Sequence, residues 1–314
     1  MNSELLHKNI PAPTTLDPDG VPAIEVKNVT KSFGGNLALN GIDLCVPTGS
    51  TYALLGRNAA GKSTLLQLML GLLEPTSGSI SVLGFDTKKD SVEVRKRLGY
   101  VPEHLAMYEW MTAAEVLRFV AAQYPTWSIG VQEELVNRLR IPLIQKVRTL
   151  SRGQRALLTL VLAMAHDPDL VLLDEATSGL DALAREDFDR SVIDLLHDSG
   201  RTVLFASHQI NELDRLCDWV GIIHEGRLLV QERVDDLKSR IKTLQVSGGV
   251  TELPDFVIPG LTILEKQTLG RDLLLTVRGD ASRYDRLPTS VVDVIDLRLE
   301  QIFVAIVHNE ESRK

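Results

Sequence analysis

The chain has 314 residues, enough for one large domain or one domain with a smaller companion. Apolar residues make up 44% of it and charged residues 24%, which excludes a disordered or fibrous chain. Acidic residues outnumber basic ones, 42 to 34, and the net charge of −8 argues against a broad nucleic-acid surface. Residues 1–21 are rich in Pro, Thr and Asp and read as a flexible tail. That tail has no basic segment leading into an apolar core, and no apolar run reaches the roughly 18–20 residues that span a bilayer, so a cytoplasmic chain is predicted. Cys45 and Cys217 stand far apart and read as small core residues, not as a disulfide or metal site.

Regular patterning starts at Ala23. "AIEVKNV" (23–29), "GIDLCV" (41–46) and "TYALLG" (51–56) read as strands, the third running through a glycine into a helix over 61–72. A hairpin-like stretch, "SISVLG" (79–84), follows. Residues 90–166 read as mostly helical, with helix-period apolar spacing in 112–124 and 131–140. Strands return at 170–174, 202–207 and 219–224, separated by helices over 182–198 and 209–216. This order predicts an α/β core interrupted by a helical insert. From about Lys238, strand-like segments and a last amphipathic helix over 299–308 predict a small α+β C-terminal extension.

"GRNAAGKST" matches G-x-x-x-x-G-K-[ST] and sits between a strand and a helix, the context this phosphate-binding pattern requires. The loop Gly56, Arg57, Asn58, Ala59, Ala60, Gly61 turns backbone N–H groups around phosphates, and the helix start at Lys62, Ser63 and Thr64 adds positive potential. Lys62 reaches the outer phosphates and the Ser63 hydroxyl ligates Mg²⁺. "LVLLDEATSGLD" (170–181) supplies a carboxylate for that metal: Asp174 ends a buried strand, where α/β sheets place ligands. Glu175 follows it and can face an attacking water. "LSRGQ" (150–154) is an S-x-x-Q capping box at a helix start, yet Gly153 there costs helix stability.

These motifs, in this order, resemble the ATP-binding cassette (ABC) family over roughly residues 22–235. The resemblance implies a P-loop NTPase core: a RecA-like sheet with an antiparallel β subdomain and a helical insert. It implies domains of 1–21 (tail), 22–237 (nucleotide-binding, helical subdomain about 90–166) and 238–314 (extension). It makes "LSRGQ" the signature motif, in which Ser151, Gly153 and Gln154 close over ATP held by a second subunit. Phe33 in "KSFGG" takes the adenine-stacking place, Glu103 in "GYVPE" the Q-loop place, Asp181 in "SGLD" the D-loop place, and His208 in "FASHQ" that of the switch histidine.

The sequence departs from the family at four places. Arg57 and Ala59 stand where proline and glycine are usual, and a Cβ at residue 59 costs about 1–2 kcal/mol if that position needs positive φ. Glu103 replaces glutamine and can still bind Mg²⁺ or water. Arg152 replaces a glycine, and the sequence leaves open whether it draws in a partner's nucleotide or faces solvent.

Lys62, Asp174, Glu175 and His208 are intact, so the resemblance implies ATP hydrolysis with Mg²⁺. Glu175 and His208 are the catalytic pair, and Ser63, Glu103 and Asp174 are the metal ligands. It further implies a homodimer of nucleotide-binding domains on the inner face of the membrane, driving a separate permease in an exporter. Met107, Tyr108, Trp110 and Met111 mark either a permease groove or the insert's own core. The alternatives in function are a soluble cassette acting on nucleic acid or ribosomes, and a resistance or regulatory protein that does not transport.

Overall fold

The computed structural model describes residues 21–103, 106–197, 200–246, 260–270, 272–287 and 291–313. The predicted tail, Val21 apart, lies outside them. The first strands, β1 (Ile24–Phe33) and β2 (Asn36–Val46), form an antiparallel hairpin. β3 (Thr51–Leu55) leads into helix α1 (Lys62–Met69), and β4 (Ser77–Val82) with the two-residue β5 (Phe85–Asp86) closes a four-stranded sheet of order β2-β1-β4-β5.

The stretch 90–166 contains more than helices. A short helix α2 (Ser91–Lys96) precedes a strand, β6 (Leu98–Val101), and then come α3 (Ala113–Ala121), α4 (Ile129–Arg138) and α5 (Arg152–Met164). α3 starts with a capping box between Thr112 and Glu115, and Ser128 caps α4. β6 is a four-residue parallel strand, too short to show a period of its own. It forms because Gly99 and Tyr100 can pair with β7 (Leu170–Asp174), whose five residues are all buried.

α6 (Ala182–His197) and β8 (Thr202–Ser207) follow. The helix predicted over 209–216 is one turn, α7 (Ile210–Leu213), followed by β9 (Trp219–His224) and β10 (Arg227–Arg233). These strands make a six-stranded sheet of order β10-β9-β3-β8-β7-β6, parallel from β3 through β6. Its central strands are apolar without alternation, as burial on both faces requires. Leu65, Leu66, Leu68 and Met69 of α1 are fully buried, each worth roughly 1.5–3 kcal/mol of transfer free energy.

The chain divides into two compact units, one holding residues up to His208 with Gly221–Gln231, the other holding Gln209–Val220 with Glu232 onward. The second unit contains α8 (Val234–Arg240), β11 (Ile241–Val246), β12 (Leu261–Leu269), β13 (Asp272–Gly279), β14 (Val291–Asp296) and α9 (Leu299–Glu311). Its antiparallel sheet runs β12-β13-β11-β14 around Leu244, Val246, Leu275 and Val277. α9 buries Leu299, Ile302, Ala305 and Ile306, one stripe at helical spacing. Glu232 is ion-paired with both Arg240 and Arg278, 3.1 and 3.0 Å away.

Candidate functional site

The site lies at the carboxyl ends of β3, β7 and β8, where an open parallel sheet leaves room for a ligand. Gly56 leaves β3 against β9: a Cβ there would lie 2.6 Å from the Ile223 carbonyl oxygen. Arg57, Asn58 and Ala59 form an exposed loop, and the Ala60 N–H donates to the Arg57 carbonyl at 3.1 Å. Ala59 has φ 62°, so the position does need the left-handed conformation that glycine adopts without strain. Gly61, at φ 108°, is the N-cap of α1.

Lys62 follows, and its ammonium is buried. It donates to the carbonyls of Gly56 (2.7 Å) and Arg57 (3.3 Å) and pairs with Glu175 Oε1 at 3.1 Å. The other oxygen of Glu175, Oε2, is 2.7 Å from His208 Nδ1. The Glu175 backbone sits at φ 47°, a rare conformation for a side-chain-bearing residue, and its N–H donates to the Ala206 carbonyl at 2.9 Å. Strain of this kind persists only where the surroundings impose it. Here β7 and β8 turn the carboxylate toward Lys62 and His208.

Asp174 Oδ1 accepts from the Ser63 hydroxyl at 3.2 Å, and Oδ2 accepts from the Tyr100 phenol at 3.4 Å. Burial pushes the Asp174 carboxyl above its ordinary range, the Ser63 hydrogen bond pulls it back, and the charges of Glu175 and Glu103 raise it again. Burial and the same carboxylate hold Tyr100 protonated far above the usual phenol range. Tyr100 went unnoticed at the motif level because nothing in "GYVPE" shows which way the phenol points.

A hydroxyl and a buried carboxylate are the hard oxygen donors that Mg²⁺ prefers. Among the described residues no three His, Cys, Asp or Glu side chains gather as a metal cluster. Glu103 lies near enough for its charge to act on Asp174.

The ABC transporter family model matches residues 39–178, from β2 through Ser178, a stretch that leaves out Phe33 and His208. The chain is 32% identical to the ABC transporter ATP-binding protein YtrB of Bacillus subtilis, over 90% of this chain and 97% of that one. The chain belongs to the ABC transporter family.

Within that family it is an ATP-binding subunit and an ATPase. It is also 35% identical to the probable multidrug ABC transporter ATP-binding protein YbhF of Escherichia coli, over 70% of this chain but only 39% of the longer relative. The solved structure of an ATP-binding subunit of an ABC transporter superposes with a TM-score of 0.62 at 29% identity, covering 69% of this chain and 92% of that one.

The stretch "LSRGQ" starts α5. Ser151 Oγ accepts from the Gln154 N–H at 3.1 Å, and Gln154 Oε1 accepts from the Ser151 N–H at 2.9 Å, so the capping box forms. Gly153 lets α5 approach α6: a Cβ there would lie 2.9 Å from the Ala184 Cβ. Asp181 caps α6 by accepting from the Ala184 N–H at 2.9 Å. Gly153 and Asp181 thus both meet the start of α6 at Ala184, while Ser151 and Asp181 are exposed. Gly153 has a reason within its own subunit, which the motif alone does not show.

Phe33 ends β1, 47% exposed, with Lys31 Nζ 4.9 Å from its ring centroid. Tyr108, Trp110 and Phe119 form an exposed aromatic group: the Tyr108 ring is 5.9 Å from Trp110 and 5.7 Å, edge-on, from Phe119. Tyr108 and Trp110 are 54% and 64% exposed, so they are not the insert's own core; Met107 and Met111 are half-buried. Among the described residues no helix is long and apolar enough to cross a membrane.

Proposed function

We propose that this chain uses ATP hydrolysis at Lys62, Glu175 and His208 to drive a separate membrane permease, as one half of a homodimer in an exporter. The observation that carries this is the convergence of Lys62 and His208 on the two oxygens of Glu175, beside the Ser63–Asp174 pair. The amides from Gly56 to Thr64 and the Lys62 ammonium hold the phosphates. Glu175 orients and deprotonates the attacking water, and His208 contacts the transferred phosphoryl group. Ser63, Glu103 and Asp174 would hold Mg²⁺, and the ion when bound would supply positive charge against the phosphates. Phe33 stacks on adenine. Ser151, Gly153, Gln154 and Asp181 face the partner subunit's nucleotide.

In this reading residues 22–237 are the nucleotide-binding domain, with its helical subdomain at about 90–166, and 238–314 the extension. The chain works at the inner face of the membrane without binding nucleic acid. The exposed aromatic group at Tyr108 receives the permease, since exposed aromatic patches mark contact surfaces. The relatives, an ABC transporter ATP-binding protein and a probable multidrug transporter ATP-binding protein, favour export over the soluble alternatives. The test is purification from membranes in mild detergent. A co-purifying integral membrane chain supports the transporter reading, and its consistent absence removes the main support for it.

A further inference from the structure

Arg152 is the residue by which this signature departs from the family pattern, and its position is electrostatically unfavourable. It is the first residue of α5, where the helix macrodipole repels a cation. Asp, Glu or a neutral residue would be the better choice there, so the arginine calls for a compensating contact. The structure supplies one. The guanidinium lies flat over Gly179: a Cβ on that residue would sit 2.5 Å from Arg152 Cζ and 2.9 Å from Nη2, with Nη1 also in the way. Gly179 is at φ 69°, between the turn that starts at Glu175 and the cap at Asp181. A planar group needs a flat, side-chain-free surface, and Gly179 is the residue that offers one. A lysine, with a compact ammonium on a flexible stem, cannot make the same contact.

We propose that Arg152 is a positioning residue that latches the D-loop, 178–181, to the start of the signature helix. The two segments then move as one body. The Gly153–Ala184 contact joins the same two elements one residue further on and makes the corner two-sided. This rests on the ATPase-dimer reading above, in which signature and D-loop both face the partner's nucleotide. Among the described residues no hydrogen bond or ion pair joins Arg152 to its own subunit's P-loop. Its effect therefore falls on turnover in the closed pair and not on ATP affinity. The departure from glycine is in this account a gain of rigidity and not a phosphate contact.

The experiment uses the full chain with Arg152→Ala and Arg152→Lys, read by amide hydrogen exchange over 176–181 and by ATPase rate against ATP concentration. Removing a cation from a helix N-terminus is itself favourable, and a thermal melt of each variant separates a loss of rate from unfolding. The latch predicts at least tenfold faster exchange over 176–181 in Arg152→Ala. It predicts about a tenfold fall in kcat with KM changed less than twofold, and it predicts that Arg152→Lys behaves like Arg152→Ala. Unchanged exchange in Arg152→Ala would overturn it. So would wild-type kcat in Arg152→Lys, which would mean that charge toward the nucleotide is what matters. Exchange requires no ATP turnover, so a chain without ATPase activity would sink the functional reading while leaving the latch separately decided.

Discussion

Lys62 Nζ and Glu175 Oε1 lie 3.1 Å apart in a site where both side chains are almost wholly buried. The two side chains therefore satisfy each other without a ligand. In the proposed function, phosphates entering the loop would take Lys62 from this pair and free one oxygen of Glu175 for water.

The pair has a measurable consequence without nucleotide. Removing one member of a buried ion pair leaves the other uncompensated, at a cost of about 3–5 kcal/mol. The Gly56 and Arg57 carbonyls also lose their donor when Lys62 is changed. Lys62→Met is expected to lower stability by about 3–5 kcal/mol in thermal or urea unfolding of the full chain. The double variant Lys62→Met, Glu175→Gln is expected to be less destabilised than the two single effects added, by at least about 1 kcal/mol. Strict additivity would show that the two side chains do not interact.

Asp174 gives a pH prediction. Its folded-state pKa is raised, chiefly by burial, so the folded chain holds this proton more tightly than the unfolded chain. Stability from this group is then fully present below the ordinary carboxylate value of 3.8 and is lost as pH rises through the raised folded value. The burial that raises this pKa works against the ionised carboxylate, the form that the proposed Mg²⁺ site needs. Asp174→Asn is expected to raise the melting temperature at pH 7, by about 0.5–2 kcal/mol of stability, while abolishing Mg²⁺-dependent turnover. The gain is expected to shrink as pH falls toward 4, a trend that melts across that range will show or contradict.

Much of the first unit was legible in the sequence because its signals are local. The P-loop needs only a strand, a glycine pattern and a helix, and the "LVLLD" strand is uniformly apolar because both its faces are covered. What could not be read depends on partners distant in sequence. "LGYV" is a strand only because β7 lies beside it, and the strand Arg227–Arg233 shows no strand signal of its own because polar residues break its apolar run. The Tyr100–Asp174 hydrogen bond, the Gly153–Ala184 approach and the Arg152–Gly179 contact each join segments that no motif window spans. The exposure of Tyr108 and Trp110 was likewise undecided, since aromatic residues at an insert are as often core as surface.

Ala59 is held at φ 62°, so glycine there should relieve strain, while the added freedom of the unfolded chain offsets part of the gain. Ala59→Gly is expected to be stabilising by up to about 1 kcal/mol, and Ala59→Val destabilising by more than that, because a β-branched residue is disfavoured in the left-handed region. Paired thermal melts decide the matter: an Ala59→Val chain as stable as the parent would show that the loop adopts another conformation.

Tyr108→Glu and Trp110→Glu alter exposed rings, so each should change stability by no more than about 0.5 kcal/mol. Each is nonetheless expected to abolish co-purification with the membrane chain, by placing a carboxylate on an apolar contact surface. Undiminished co-purification would move the docking surface elsewhere.

The central claim is that ATP held at Lys62 and Glu175 joins two copies of the chain and that hydrolysis parts them. Glu175→Gln keeps the size and hydrogen bonding of the side chain but removes the base and its negative charge beside the phosphates. Size-exclusion chromatography of this variant with ATP and Mg²⁺ is the direct measurement. A stable dimer is predicted, reverting to monomer when Ser151→Arg is added, because the larger side chain fills the edge where the partner's nucleotide would sit. A Glu175→Gln chain that stays monomeric at saturating ATP would contradict the account.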